Sequence, residues 1–302
     1  SVINSGSGSK SLTHHRLTFE FTANPAWYAV QALPYMMEYP YECAEQTFNR
    51  FYSNTIASHI ANSSPKIQYV FNVWGNSQPD AFLSNLEKNQ ELKNVILEET
   101  PWVLDAQNES ERKRRVALLF DLNRMSREQE RALRKLQQLQ VSNGGWTWFP
   151  GMPDDRYMTQ YIVTGLGKLD HLGVQSIRDD RNTWSMTANA VQYLDNRIRE
   201  DYDWIMKHDA ANKDKNHLSY LAIQYLYARS FFKDVPFSKH NQVAFDYYFD
   251  QGKKYWLNQS RYIQGMLALA NHRFNNPTTA TSIMKSLNET ALHHEELGMY
   301  WK

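Results

Sequence analysis

Beyond Asn24-Pro25 the apolar residues of this chain recur at helical spacing almost without interruption, and alternating strand patterns are nearly absent. That periodicity restricts the fold to an all-α class. The clearest segment, 45–61, sets Phe48, Phe51, Tyr52, Ile56 and Ile60 on one helical face and stops at Asn62-Ser63-Ser64-Pro65. An aromatic helix is expected over 27–37, stopped near Pro40. Others are expected over 66–74, 80–89, 109–123, 126–140, 156–172, 183–199, 217–232, 238–250, 255–273 and 277–291. Breaks fall at Gly144-Gly145, Phe149-Pro150-Gly151, Gly173 and Asn275-Asn276-Pro277, with Thr278 and Thr279 placed to help cap the last helix. Helices arriving in pairs at intervals of about 40 residues suggest an α/α repeat. Ahead of them, Leu17-Thr18-Phe19-Glu20-Phe21 alternates as a single strand whose partners are expected in a flanking β domain. Ser1 to Ser11 is Ser/Gly-rich and reads as a linker. The expected organisation is linker and strand over 1–24 and a helical domain over 25–302.

Composition narrows the function. Apolar residues make up 42% and aromatic residues 14% of the 302, with 18 tyrosines and 9 tryptophans, which points to a sizeable, aromatic-rich core. The 33 basic and 32 acidic residues leave a net charge of +1, so no field favours nucleic acid or an anionic membrane as partner. The basic run 111–115 and the stretch 124–135 are interleaved with Glu109, Glu111, Glu128 and Glu130, which reads as solvated helix face. No apolar run is long enough to cross a membrane. There is no signal peptide and no initiator methionine, so the chain reads as a piece of a larger protein.

The only cysteine, Cys43, stands in Pro40-Tyr41-Glu42-Cys43-Ala44-Glu45-Gln46-Thr47. A thiol three positions before a carboxamide is the arrangement from which an internal thioester forms. The sulfur attacks the Gln46 acyl carbon, ammonia leaves, and the acyl group is held as a stored electrophile that amines and hydroxyls open. At the start of the 45–61 helix, free backbone N–H groups and the helix dipole face this chemistry. Glu45 has two readings, positioning the ring or stabilising the first turn. The plain alternative is that Cys43 is a small buried hydrophobe.

Pro40, Cys43, Glu45 and Gln46, after the aromatic stretch Pro34-Tyr35-Met36-Met37-Glu38-Tyr39, resemble the thioester site of the alpha-2-macroglobulin and complement superfamily, particularly its bacterial branch. A second stretch, Leu139-Gln140-Val141-Ser142-Asn143-Gly144-Gly145-Trp146-Thr147-Trp148 followed by 155–163, is similar to the loop and helix start of that family's thioester domain. The resemblance implies an α/α toroid, incomplete at its C-terminal end. It implies a covalent protease trap that is not a turnover enzyme and needs no cofactor, captures proteases through surface lysines, and belongs to a periplasmic or surface-attached protein with flanking β domains. Family members that prefer hydroxyl targets use a downstream histidine; His208 is the candidate carried forward and His217 the second. Tyr35, Tyr39 and Tyr41 could shield the bond. Two positions depart from the pattern: Glu42 and Ala44 stand where the family usually has glycine, which permits tighter backbone turns. Glu42 also sets a negative charge beside the thiol.

Two other classes stay open. One is a binding or scaffold domain that lacks the thioester. The other is an inverting glycoside hydrolase on an α/α toroid, with Asp154, Asp155, Glu98 and Glu99 as acid and base and with Trp146 and Trp148 stacking on sugar. Terpene-cyclase chemistry wants an Asp-x-Asp-Asp cluster, which Asp154-Asp155 and Asp179-Asp180 do not complete. Prenyltransferase zinc would need the single cysteine.

Overall fold

A computed structural model describes residues 36, 42–63, 65, 66, 69, 122–296 and 298–301. The expected strand within 12–22, the helix over 27–37 apart from Met36, the helix over 66–74 apart from Lys66 and Tyr69, the helix over 80–89 and the helix over 109–123 apart from its last two residues lie outside the described residues, as do Tyr35, Tyr39, Tyr41, Glu98 and Glu99. The described residues are all-α in class. Eight α-helices run in the order α1 (Ala44–Ser63), α2 (Leu122–Leu139), α3 (Arg156–His171), α4 (Arg181–His208), α5 (Tyr220–Arg229), α6 (Lys239–Tyr255), α7 (Arg261–Arg273) and α8 (Pro277–Glu289). Two small antiparallel hairpins accompany them, β1 (Trp146–Thr147) with β2 (Asp154–Asp155) between α2 and α3, and β3 (Leu292–His294) with β4 (Gly298–Tyr300) after α8.

The chain divides into two compact units, Ser1–Glu38 with Ala57–Met125 and Tyr39–Ile56 with Ser126–Lys302. In the first, the described end of α1 closes on itself, Asn62 donating to the Ser58 carbonyl at 2.9 Å and the Ser63 hydroxyl to that of Ile60 at 2.7 Å. The second unit holds Cys43, Gln46 and the double-glycine turn.

Helices of the second unit begin where short polar side chains can take up free N–H groups. Asp155 caps α3 by accepting from Met158, Asp180 caps α4 from Thr183, Ser219 caps α5 from Ala222, and Ser238 caps α6 from Asn241. Pro277 opens α8 at a position where its missing N–H is not needed. Helices then pack on alternate neighbours. α3 lies against α5 and α5 against α7, while α4 lies against α6; α3 also meets α4, and α7 meets α8. The arrangement is two rows, and the fully buried Tyr225, Leu226 and Ala228 of α5 sit at the centre of the core.

One ion pair ties the rows together. Asp195 of α4 and Arg229 of α5 are both 1% exposed. The Arg229 Nε donates to Asp195 at 3.0 Å, and the Tyr225 hydroxyl donates to the same oxygen at 2.7 Å. The rest of the guanidinium donates to the carbonyls of Phe232 and Val235 and lies 3.8 Å from the Phe237 ring centre. Burial pushes the Asp195 carboxyl above the usual aspartate range, with the arginine opposing it.

Several boundaries differ from the sequence reading; α5 is shorter than the expected 217–232, and α6 runs five residues past 250. α2 runs unbroken through 124–125, where the sequence suggests a stop. α4 continues nine residues past the expected end at 199, because nothing in 200–208 breaks a helix and Ile205 is buried against the core. The segment expected as one helix over 255–273 is a 3-10 turn, Trp256–Asn258, and then α7, because Gln259 is extended.

An alanine at position 195 leaves the Arg229 charge buried without its counterion. Denaturant unfolding of Asp195→Ala should show a loss of about 3–5 kcal/mol; a loss below about 1 kcal/mol would mean that the pair does not tie α4 to α5.

Candidate functional site

Cys43 is the residue before the first turn of α1. Its carbonyl accepts the first helical bond, from Thr47 N–H at 2.9 Å, and its sulfur accepts from the Gln46 N–H at 3.4 Å. Sulfur thus takes the place that a serine or threonine oxygen takes in a helix cap, and Gln46 stands at the third helical position. In a capping box that position carries Glu or Gln because its side chain can reach back to the cap residue. The Cys-x-x-Gln spacing therefore gives the carboxamide the reach to meet the thiol. Cys43 is 5% exposed, and the Gln46 side-chain oxygen is buried with no hydrogen-bond partner. Glu45 is half-buried in the first turn.

The two stretches singled out in the sequence meet here. The Ala44 N–H, otherwise one of the free donors of the helix start, donates to the Trp148 carbonyl at 2.9 Å. Trp148 is delivered by a turn that both glycines make possible. Gly144 has φ +92°, and a Cβ there would come within 2.3 Å of the Asn189 carbonyl oxygen. A Cβ on Gly145 would meet Asp154 and Tyr193. The Gln140 side chain donates to the Gly144 and Met186 carbonyls at 2.9 and 2.8 Å. Asn143 accepts from the Gly145 N–H and donates to Asp154 at 3.1 Å. Trp146 is fully buried; its indole N–H donates to the Leu136 carbonyl, and its backbone N–H to the Thr159 hydroxyl.

Side chains fix the helix from the other side. The Phe48 ring stands against Gly165 of α3, where an added Cβ would lie 2.3 Å from Phe48 Cζ. The same ring meets Tyr161 edge-on at 5.8 Å and Tyr52 at 5.8 Å, and the Tyr161 hydroxyl donates to Asn49 at 2.6 Å. Burial pushes the Tyr52 and Tyr161 phenols above the usual tyrosine range, so both are neutral donors near neutral pH. Cys43 and Gln46 accordingly begin a helix wrapped by aromatic rings.

Neither departure from the glycine pattern obstructs this turn. Ala44 is already helical, and among the described residues the only non-glycine with positive φ is Asn275. Glu42 is paired with Lys135 of α2 at 3.1 Å; the Lys135 hydrogen bond and charge hold its carboxyl below the usual range, with Arg50 and Arg131 adding to the effect. Nothing in the sequence joins position 135 to position 42, so spacing alone does not reveal Lys135 as a partner.

The histidines are elsewhere in their bonding. His208 ends α4, exposed, with Nδ1 3.0 Å from the Trp204 carbonyl oxygen and its ring on the Trp204 indole at 5.1 Å. His217 Nε2 lies 2.9 Å from the Asn212 carbonyl oxygen. Neither hydrogen bond reaches the α1 segment.

The two described carboxylates of the hydrolase reading already have structural partners. Asp155 caps α3. Asp154 accepts from Tyr193 at 2.6 Å and from Asn143, and these bonds, Tyr193 foremost, hold it below the usual aspartate range. A general acid needs the opposite shift. Trp146 is wholly buried and offers no sugar platform. Among the described residues no group of three or more His, Cys, Asp or Glu could hold a metal ion.

Neither protein-family models nor curated proteins match this chain.

Asp154 sets a pH dependence. Its folded carboxyl titrates below the unfolded one, so its stabilisation is complete above the unfolded value of about 3.8 and is lost as pH falls through the folded value. Asp154→Asn should therefore unfold more easily than wild type at neutral pH, and the two should converge below about pH 3.8. A gap independent of pH would rule out the carboxylate as the anchor of the turn.

Proposed function

We propose that this chain is a covalent trap built on an internal Cys43–Gln46 thioester, the thioester domain of a bacterial alpha-2-macroglobulin-like protein, with helices that belong to an α/α toroid. One observation carries the reading: Cys43 caps α1 with the Gln46 N–H on its sulfur, while the Gln46 carboxamide oxygen is buried without a partner. An unpaired buried amide oxygen costs about 1–3 kcal/mol. A thioester carbonyl is a weaker acceptor than an amide carbonyl, so converting Gln46 to the acyl thioester relieves part of that cost.

The chemistry balances without a co-reactant. The Cys43 sulfur attacks Gln46 Cδ, a C–S bond forms, the C–N bond breaks, and the departing amide nitrogen takes up the thiol proton to leave as ammonia. Opening is a second acyl transfer, in which sulfur is the leaving group. A target amine attacks the acyl carbon, an amide forms, the C–S bond breaks, and Cys43 recovers its proton from the amine. The ion pair of Glu42 with Lys135 supports the first step, because it offsets the negative charge beside the sulfur. The aromatic rings of Phe48, Tyr52 and Tyr161 support the persistence of the bond by keeping water from the helix start.

Lysine amines are the proposed nucleophiles, since the bonding of His208 is local to the end of α4. Proteases caught through surface lysines are the proposed partners, with flanking β domains, in a periplasmic or surface-attached protein. The hydrolase reading is the weaker one: Asp154 and Asp155 are held in a turn and a cap, and Trp146 is inside the core.

Incubation with a fluorescent primary amine tests this directly. The label should appear as an amide on Gln46 by peptide mapping, survive denaturing electrophoresis, and be absent from Cys43→Ala. No label on wild type, or equal labelling of Cys43→Ala, would contradict the trap.

A further inference from the structure

The trap chemistry leaves unused a groove of about 670 Å³ along α7 and α8. Tyr262, Gly265, Leu269 and His272 line it from α7, and their spacing of three and four residues puts them on one face of that helix. Tyr262 and Leu269 are exposed, as is Met284, which lines the groove from α8. A Cβ added at Gly265 would meet nothing within 4 Å, so the groove is open above it. From Tyr262 to His272 this face is about 15 Å long.

The charge along the groove has one sign. Among the described residues no Asp or Glu lines it. Lys168, in the last turn of α3, and His272, in the last turn of α7, both line it and are both exposed. Neither has an ion pair among the described residues. They stand at the same end, because Phe231 ties the ends of α3 and α7 together. A Cβ on Gly167 would lie 2.6 Å from Phe231 Cγ, and the Arg273 guanidinium lies 3.9 Å from the centre of the same ring. Tyr227 of α5 lines the groove beside them, its ring 5.3 Å from that of Phe231. Tyr227 is half-buried, and its hydroxyl keeps accessible surface while having no hydrogen-bond partner among the described residues. Arg261 lines the opposite end and has an interaction of its own.

We infer that this groove binds a single-chain amphiphile of the fatty carboxylate class, with its chain along α7 over Gly265 and Leu269 and its head group on Lys168, Tyr227 and His272. Small-molecule sites combine a mostly apolar wall with a few polar groups that fix orientation, in volumes of about 300–1,000 Å³. An ammonium and an accessible phenol suit a carboxylate, whose two oxygens accept several hydrogen bonds, the charged one being the stronger. Met284 supplies a side chain that adapts to a flexible chain. The two cations without ion pairs gather at one end, which fits one terminal charge better than the distributed charges of an acidic helix. The inference does not depend on the thioester.

Titration of the full chain with decanoate below its micellar concentration, followed by calorimetry and thermal unfolding, gives the test. Wild type should show saturable binding of one decanoate and a saturable rise in Tm, and should bind 1-decanol more weakly. Lys168→Gln, at an exposed position, should fold normally and lose about tenfold in decanoate affinity while binding 1-decanol as wild type does. Gly265→Leu places a side chain in the open groove and removes a helix-interior glycine, so its Tm without ligand should equal or exceed that of wild type while decanoate binding is lost. The proposal is overturned if no saturable one-site binding is seen, or if either variant binds decanoate like wild type. Equal affinity for 1-decanol and decanoate would also overturn it, marking an apolar face that some other occupant covers.

Discussion

The backbone bond from the Ala44 N–H to the Trp148 carbonyl joins the two stretches on which the proposed chemistry rests. Without it the start of α1 would be a frayed helix end with free donors in water. The bond exists because Trp148 is held in place by residues that do no chemistry themselves. Tyr193 and Asn143 fix Asp154, Thr159 takes the Trp146 N–H, and two glycines let the chain pass close to Asn189 and Tyr193. Phe48 against Gly165 then sets the rotation of α1 about its axis. A helix fixed in position and rotation brings its cap residue to one place, and Cys43 is that residue.

Part of the cost of this arrangement falls on α1. The side-chain oxygens of Gln46, Thr47 and Asn54 are all buried without partners, although buried polar atoms are nearly always paired. Other helices carry such atoms too, at Gln160 and Thr183 for example, whereas the buried Asp195–Arg229 pair is hydrogen-bonded. Departures of this kind gather where a site has work other than stability. For Gln46 the proposed work is acyl chemistry.

Much of the fold was legible in the sequence, because helix starts are written in local chemistry. Asp155, Asp180, Ser219, Ser238 and Pro277 each announce a helix that the structure contains within a few residues. Ends were harder. Nothing local stops α4 at 199, and its true end depends on Ile205 finding the core. The hairpins were missed because two- and three-residue strands have no room for an alternating pattern. In the site, the spacing from Cys43 to Gln46 was legible since both lie in one helical turn, and so was the double-glycine turn. The partners that join them were not. Lys135 is 93 positions from Glu42, and Trp148 contributes a carbonyl that any residue could supply. Asp154 and Asp155 were legible as a conspicuous pair but not as a turn anchor and a cap, since that distinction rests on Tyr193 and Met158.

The central claim is that Cys43 and Gln46 become one covalent group. An intact mass of the untreated protein, taken together with thiol titration under denaturing conditions, measures this most directly. A formed thioester predicts a mass lower than that of the sequence by one ammonia and no titratable thiol. A mass equal to that of the sequence, with Cys43 fully reactive, would contradict it.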